Sequence, residues 1–318
     1  MKIILTGITG NIGYDVARIL LREGHIVVPV IRHQNEETID EKLKKLHADF
    51  SQIGEYISAN LEEEVLEHSL TDIDCIIHCA GVVHFKKAGS SNEQIMKNLV
   101  AFVKNTSTPI YYVSTAYLYK PNNEPLFNQY EEDKQKAENV LISSSLPYTI
   151  LRPSIVTGNS ETGSIIHFSG YYLTVPAFVG ALKKADRIRF PNIQNTVNII
   201  PVDWVARSIV DAVKDKKKET LYITNPNPPT FSNLLKDTLK YFLLYQKIEL
   251  VDCTFEEYRN LDLTPVEKEL LNFCDPFIPY LTTNYDFPDS VCASTLNPNY
   301  IGKILGYAVK FQNERMEK

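Results

Sequence analysis

The feature that most constrains this chain is the glycine-rich turn Thr6-Gly7-Ile8-Thr9-Gly10-Asn11-Ile12-Gly13. It follows the β-branched run Lys2 to Thr6 and precedes Ile12, Val16, Ile19 and Leu20 at helical spacing, so it lies where a first strand passes into a first helix. Glycine in such a turn lets the backbone approach a pyrophosphate. The N–H groups from Gly7 through Thr9, Gly10, Asn11 and Ile12 to Gly13, with the positive end of the helix, then stabilise its charge. Plain turn residues are the alternative reading, but a second strand, His25 to Arg32, follows at the distance a dinucleotide site requires. The spacing is Gly-x-x-Gly-x-x-Gly rather than Gly-x-Gly-x-x-Gly.

Further apolar runs at Tyr56-Ile57, Cys75 to Cys79, Ile110 to Ser114 and Tyr148 to Leu151 supply strands three to six, with helical patterns between most of them. Alternation of this kind predicts an α/β fold built on a doubly wound parallel sheet. The 318 residues are enough for that sheet and a second lobe. The expected division is a dinucleotide-binding domain over 1–155 and a smaller, mostly helical substrate lobe over 156–318, with 195–225 returning to the sheet through a helix near Asp203 to Lys214 and a strand at Thr220 to Thr224.

Composition removes several classes of function. A net charge of −6 lacks the basic footprint that nucleic-acid binding needs. No run approaches the length of a membrane span, and the opening apolar run is too short for a signal peptide. Five scattered cysteines fit reduced thiols better than a disulfide framework, which points to a cytoplasmic protein.

The end of the second strand bears on which dinucleotide binds. An acidic residue about twenty positions past the glycines holds the adenosine ribose, whereas an arginine accommodates a 2′-phosphate. Arg32 stands nineteen residues after Gly13, and no carboxylate occurs between Gly24 and Asn35, so NADPH is the expected cofactor. A solvent-exposed strand-end arginine is the alternative. Asn60 and Leu61, after strand three, are expected near the adenine.

Tyr130 and Lys134, four apart at the head of a helix, share a face. A phenol is a weak acid, and a neighbouring ammonium would bring its pKa toward a useful range. They follow a strand ending in Val113-Ser114-Thr115-Ala116-Tyr117, which puts a hydroxyl at the sheet edge where doubly wound folds bind ligands.

With these residues the chain resembles the extended short-chain dehydrogenase/reductase superfamily, through Gly7, Gly10 and Gly13, Cys79-Ala80-Gly81, Ser114-Thr115, Tyr130 with Lys134, and Leu151-Arg152-Pro153-Ser154. It is most similar to the thioester-reductase and fatty-acyl-CoA-reductase group, in His78-Cys79-Ala80-Gly81-Val82-Val83-His84-Phe85, Val113 to Tyr117 and Pro201-Val202-Asp203-Trp204-Val205. The resemblance implies a Rossmann fold with Thr115, Tyr130, Lys134 and Asn92 as the catalytic group. It further implies that Cys79, Ala80, Gly81, Pro153, Ser154 and Ile155 join the cofactor site, and that Lys134 binds the nicotinamide ribose while lowering the Tyr130 pKa. The implied reaction is NADPH-dependent reduction of an acyl thioester or the derived aldehyde. The implied partner is a small-molecule substrate, presented as an acyl-CoA or on an acyl carrier protein, with a homodimer left open. Only six residues separate Phe85 from Asn92, and Tyr130 follows Thr115 by fifteen positions, shorter segments than the group usually carries. A ketone or aldehyde reductase, a sugar-nucleotide-modifying enzyme and a non-catalytic NADP(H) sensor are the alternatives on the same scaffold.

Other residues read as structural. The seven histidines form no metal-ligand spacing, so no metal is expected. His78 and His84 read as packing or cofactor neighbours, Cys75 and Cys79 as small apolar residues on one strand face, and the lysines of Lys214 to Lys218 as a solvated helix end, with the acidic surface of a carrier protein as the rival use. The apolar segment Phe168 to Val179 serves either as the wall of an acyl site between sheet edge and lobe or as core of the lobe itself.

Overall fold

The computed structural model describes residues 1–32, 36–67, 69, 72–81, 90–288, 290–292 and 295–316. Val82 to Phe85, named above for their resemblance, lie outside them. The chain divides into two compact units: Met1–Ser154 with Val202–Thr224 and Phe287–Cys292, and Ile155–Pro201 with Asn225–Asp286 and Ala293–Lys318.

The first unit is the doubly wound sheet. Its strands and helices run β1 (Lys2–Thr6), α1 (Asn11–Arg22), β2 (Ile26–Ile31), α2 (Glu36–Asp49), β3 (Ile57–Ser58), β4 (Cys75–His78), α3 (Ser91–Val103), β5 (Ile110–Val113), α4 (Gln129–Ser143) and β6 (Tyr148–Pro153), joined by a helix, Val202–Lys214, and a strand, Thr220–Ile223. All seven strands are parallel, in the order Thr220–Ile223, β6, β5, β4, β1, β2, β3. The strand order reverses between β1 and β4, which opens the crevice where such sheets take ligands.

Burial on both faces explains the uninterrupted apolar strands. Ile3, Ile4 and Leu5 of β1 and Ile76 and Ile77 of β4 are fully buried. On one face Met96 and Leu99 of α3 and Ala137 and Leu141 of α4 pack against Ile4, Ile76, Tyr112 and Ile150. On the other, α1 packs on the helix Val202–Lys214. Asn128 starts α4 by accepting the Glu131 N–H at 3.1 Å, which fixes where Tyr130 and Lys134 fall on the helix.

The second unit carries two short parallel strand pairs, Ile155–Thr157 with Ile199–Pro201 and Ile188–Pro191 with Ile248–Val251, among helices. The segment read as either acyl-site wall or core is core here. It forms the helix Tyr171–Lys184, and Tyr171, Tyr172, Val175 and Val179 pack on Ile199, Leu234, Tyr300 and Ile304, while Phe178 meets Phe190 and Phe231. Leu173, exposed, stays outside that packing.

Candidate active site

The glycine turn is shaped by close backbone approaches. Gly7 has φ +75°, and a Cβ on it would lie 2.5 Å from the Ala80 nitrogen; a Cβ on Gly13 would lie 2.2 Å from the Gly7 carbonyl oxygen. The Gly10 N–H donates to that same oxygen at 2.9 Å. Gly10 is the N-cap of α1 and has no side chain with which to cap the helix end itself. Next to the turn, Ala80 N–H donates to the Thr6 hydroxyl at 3.1 Å, and that hydroxyl bonds His78 Nδ1 at 2.6 Å. His78 is buried and stacks on Tyr112, and burial pushes its pKa down to about 3, so the ring is neutral. His78 is thus both a packing residue and a neighbour of the turn. Cys75 and Cys79 are free thiols whose pKa values burial raises to about 12, which leaves them unreactive packing groups.

Thr115, Tyr130, Lys134, Asn92 and Gly81 come together past the ends of β4 and β5. The Tyr130 hydroxyl hydrogen-bonds the Thr115 side chain. Thr115 Oγ1 also accepts the Tyr117 N–H at 3.3 Å. Lys134 is buried; its ammonium donates to the Val113 carbonyl at 3.1 Å and stands 4.9 Å from the centre of the Tyr112 ring. A Cβ on Gly81 would lie 2.9 Å from Asn92 Oδ1 and 3.0 Å from Lys134 Nζ, so both groups face the Gly81 backbone.

One expectation fails. Lys134 does not lower the Tyr130 pKa here: burial dominates at the phenol and pushes it up to about 12, against the opposing hydrogen bond from Thr115. Burial also brings the Lys134 pKa down to about 8, although Glu138, Asp133 and Cys79 oppose it. The phenol is therefore held protonated, the form a proton donor needs.

At the expected adenosine end Arg32 is exposed and its Nη1 lies 3.3 Å from Glu62 Oε1. Glu62 also accepts the Ser91 hydroxyl at 3.2 Å. Asn60 spends its side-chain oxygen on the Glu62 N–H at 3.4 Å, and Leu61 is buried with its carbonyl accepting from Asn98 at 2.8 Å. The acidic partner absent from the end of β2 thus arrives from the turn after β3. Pro153 and Ser154 close the first unit at the end of β6, where Ser154 N–H donates to Ile223 at 3.2 Å, and Ile155 opens the second unit.

Three further sets of contacts are not foreseen from the sequence. Asp133 ties α4 to the start of α3; its only signal is a carboxylate one position before Lys134. Arg152 makes a two-pronged contact with buried Glu138, at 3.0 and 2.5 Å, and a third to Tyr222 at 2.6 Å. Lys120 pairs with buried Glu131 at 2.8 Å. Lys214 pairs with Glu23 at 2.6 Å, and Lys216, Lys217 and Lys218 are exposed. Among the described residues no three metal-ligating side chains gather, and no helix is long and apolar enough to cross a membrane.

A parallel sheet with a glycine turn at its reversal point and a Tyr/Lys pair at the neighbouring strand ends is the architecture of an NAD(P)H-binding protein. The chain belongs to the NAD(P)H-binding family, whose model matches residues 7–174. It is similar in fold to the terminal R domain from the myxalamid PKS-NRPS biosynthetic pathway, with TM-score 0.72 and 20% identity over 98% of this chain and 91% of that one. A thiolation-reductase di-domain from an archaeal non-ribosomal peptide synthetase matches with TM-score 0.72 and 18% identity over 98% of this chain and 76% of that one. L-2-aminoadipate reductase of Saccharomyces cerevisiae is 25% identical in an alignment of 277 residues that takes in 69% of this chain. The match spans 19% of that protein's length.

Proposed function

We propose that this protein is an NADPH-dependent reductase of an acyl thioester or of the aldehyde derived from it. The observation that carries the reading is the protonated Tyr130 hydrogen-bonded to Thr115, with Lys134 beside it past the end of β5. Likeness to an R domain, a thiolation-reductase di-domain and an aminoadipate reductase supports the thioester as substrate.

The residues present fit the cofactor. The turn leaves no room for a side chain at Gly7 or Gly13, so its backbone is bare, and Gly10 supplies no capping side chain to α1. Gly7, Thr9, Gly10, Asn11, Ile12 and Gly13 would hold the pyrophosphate, Arg32 the 2′-phosphate, Asn60 and Leu61 the adenine side, and Cys79, Ala80, Gly81, Lys134, Pro153, Ser154 and Ile155 the nicotinamide half. When bound, NADPH supplies the hydride that reaches the carbonyl carbon. Thr115 and Tyr130 share the developing charge on the carbonyl oxygen, and Tyr130 gives it a proton. Lys134 would hold a ribose hydroxyl, with the Asn92 carboxamide beside it. With a thioester, the resulting hemithioacetal collapses to aldehyde and free thiol. We further propose a carrier-bound or CoA-bound substrate and a cytoplasmic setting, in keeping with the five free thiols.

The test is NADPH oxidation across acyl-CoAs, aldehydes and ketones, with the product aldehyde trapped. Turnover of a thioester with release of free thiol is the expected result. Turnover of aldehydes alone would confine the enzyme to the second reduction, and activity confined to ketones or sugar nucleotides would overturn the reading.

A further inference from the structure

Asp133 lies between Tyr130 and Lys134 on α4 but faces α3. Its side chain is buried and one carboxylate oxygen accepts both the Asn92 N–H, at 2.9 Å, and the Asn92 side-chain amide, at 2.8 Å. The other oxygen accepts the Glu93 N–H at 3.0 Å. Ser90, the N-cap of α3, makes no side-chain cap bond, so a carboxylate 41 residues along the chain does what an N-cap would do. The amide bond sets which way Asn92 points. With Nδ2 committed to Asp133, Oδ1 turns to Gly81, where Lys134 Nζ also stands.

We propose that Asp133 is a positioning residue: it holds Asn92 with its carbonyl oxygen beside the Lys134 ammonium. The inference rests on the reading of Lys134 and Asn92 as the nicotinamide-side pair. Among the described residues, the groups that act on Lys134 are the charges of Asp133 and Glu138 from α4, His78 and Cys79 from the end of β4, Asn92 Oδ1 beside Gly81, and the Tyr112 ring and Val113 carbonyl from β5. His78 is neutral and the Cys79 thiol is protonated, which leaves two carboxylates to oppose the burial of one ammonium. Removing one makes the charged lysine harder to keep.

The experiment is NADPH affinity as a function of pH, read by NADPH fluorescence on the full chain, with thermal unfolding recorded alongside. Wild-type affinity should fall as pH rises through about 8. In Asp133→Asn the midpoint should move down by about one pH unit. In Asp133→Glu, which keeps the charge, it should return toward wild type. Asn92→Ala retains the carboxylate and both backbone bonds, so it should keep the midpoint and lose about three- to tenfold in affinity. A wild-type midpoint in Asp133→Asn overturns the proposal. If that variant does not fold, wild-type affinity in Asn92→Ala overturns it independently. Lys134→Met should by itself weaken NADPH and flatten the pH dependence; a Lys134→Met protein that binds as wild type would remove the underlying reading instead.

Discussion

Arg32 Nη1 and Glu62 Oε1 stand 3.3 Å apart at the adenosine end of the candidate site. A 2′-phosphate arriving at Arg32 meets a guanidinium that already has an anionic partner, and that partner repels it. Arg32→Ala should therefore cost NADPH about ten- to hundredfold in affinity and leave NADH nearly unchanged. Glu62→Gln should act the other way and tighten NADPH severalfold, because the pair is solvent-exposed and its coupling modest. Dissociation constants for both cofactors in both variants check this, and equal values for NADPH and NADH in the wild type would end the assignment of Arg32.

Tyr130→Phe removes the hydroxyl that bonds Thr115 and keeps the ring. Turnover should fall by about 10²- to 10⁴-fold while the NADPH dissociation constant stays within about twofold of wild type. Thr115→Val should lower turnover less and also loosen the turn after β5, because Thr115 Oγ1 accepts the Tyr117 N–H at 3.3 Å. Single-turnover rates with saturating NADPH separate the chemical step from binding. A Tyr130→Phe enzyme at wild-type rate would remove the phenol from the mechanism.

Lys134 makes function and stability respond to pH in opposite directions. Its pKa is about 8 in the folded chain against 10.5 for an unperturbed lysine, so between those values the unfolded chain binds more protons. Lys134 therefore contributes least to stability below pH 8, and its contribution rises with pH up to about 10.5. Cofactor binding that uses the ammonium falls over the same range. Comparing unfolding free energies of wild type and Lys134→Met from neutral to alkaline pH isolates this group. The difference should shift in favour of wild type as pH climbs, and a pH-independent difference would contradict it.

What the sequence made legible is what lies close along the chain. The turn Thr6 to Gly13 and the Tyr130/Lys134 spacing are local, because a strand–turn–helix unit and one turn of helix define their own geometry. β1 falls at Lys2–Thr6, where the β-branched run places it. The groups that tune the site are brought together by the sheet from distant positions. Glu62 reaches Arg32 across 30 residues, and Asp133 reaches Asn92 across 41. The same cause explains the Tyr130 pKa: helical spacing shows that a lysine is near, but not how much water the fold removes from the phenol. The helix Tyr171–Lys184 is a parallel case, since its apolar composition suits a ligand wall and a core equally, and only the packing partners Ile199, Leu234 and Tyr300 decide.

Two glycines give the sharpest contrast between folding and function. At Gly13 an added methyl group would lie 2.2 Å from the Gly7 carbonyl oxygen, a backbone atom that cannot move without unmaking the turn. Gly13→Ala should therefore cost about 1–3 kcal/mol or more of stability and abolish cofactor binding together with it. At Gly81 the methyl group would meet the Asn92 amide oxygen at 2.9 Å and the Lys134 ammonium at 3.0 Å, both at the ends of side chains. The long lysine can retreat, while the Asn92 carboxamide, tied to Asp133, must give by a few tenths of an ångström. Gly81→Ala should melt within a few degrees of wild type, yet lose about a hundredfold in turnover, because an ångström of displacement at a positioning group is enough. Thermal unfolding and kcat/KM measured on both variants distinguish the two cases. Wild-type turnover in Gly81→Ala would mean that Asn92 and Lys134 do no work at the face where the structure gathers them.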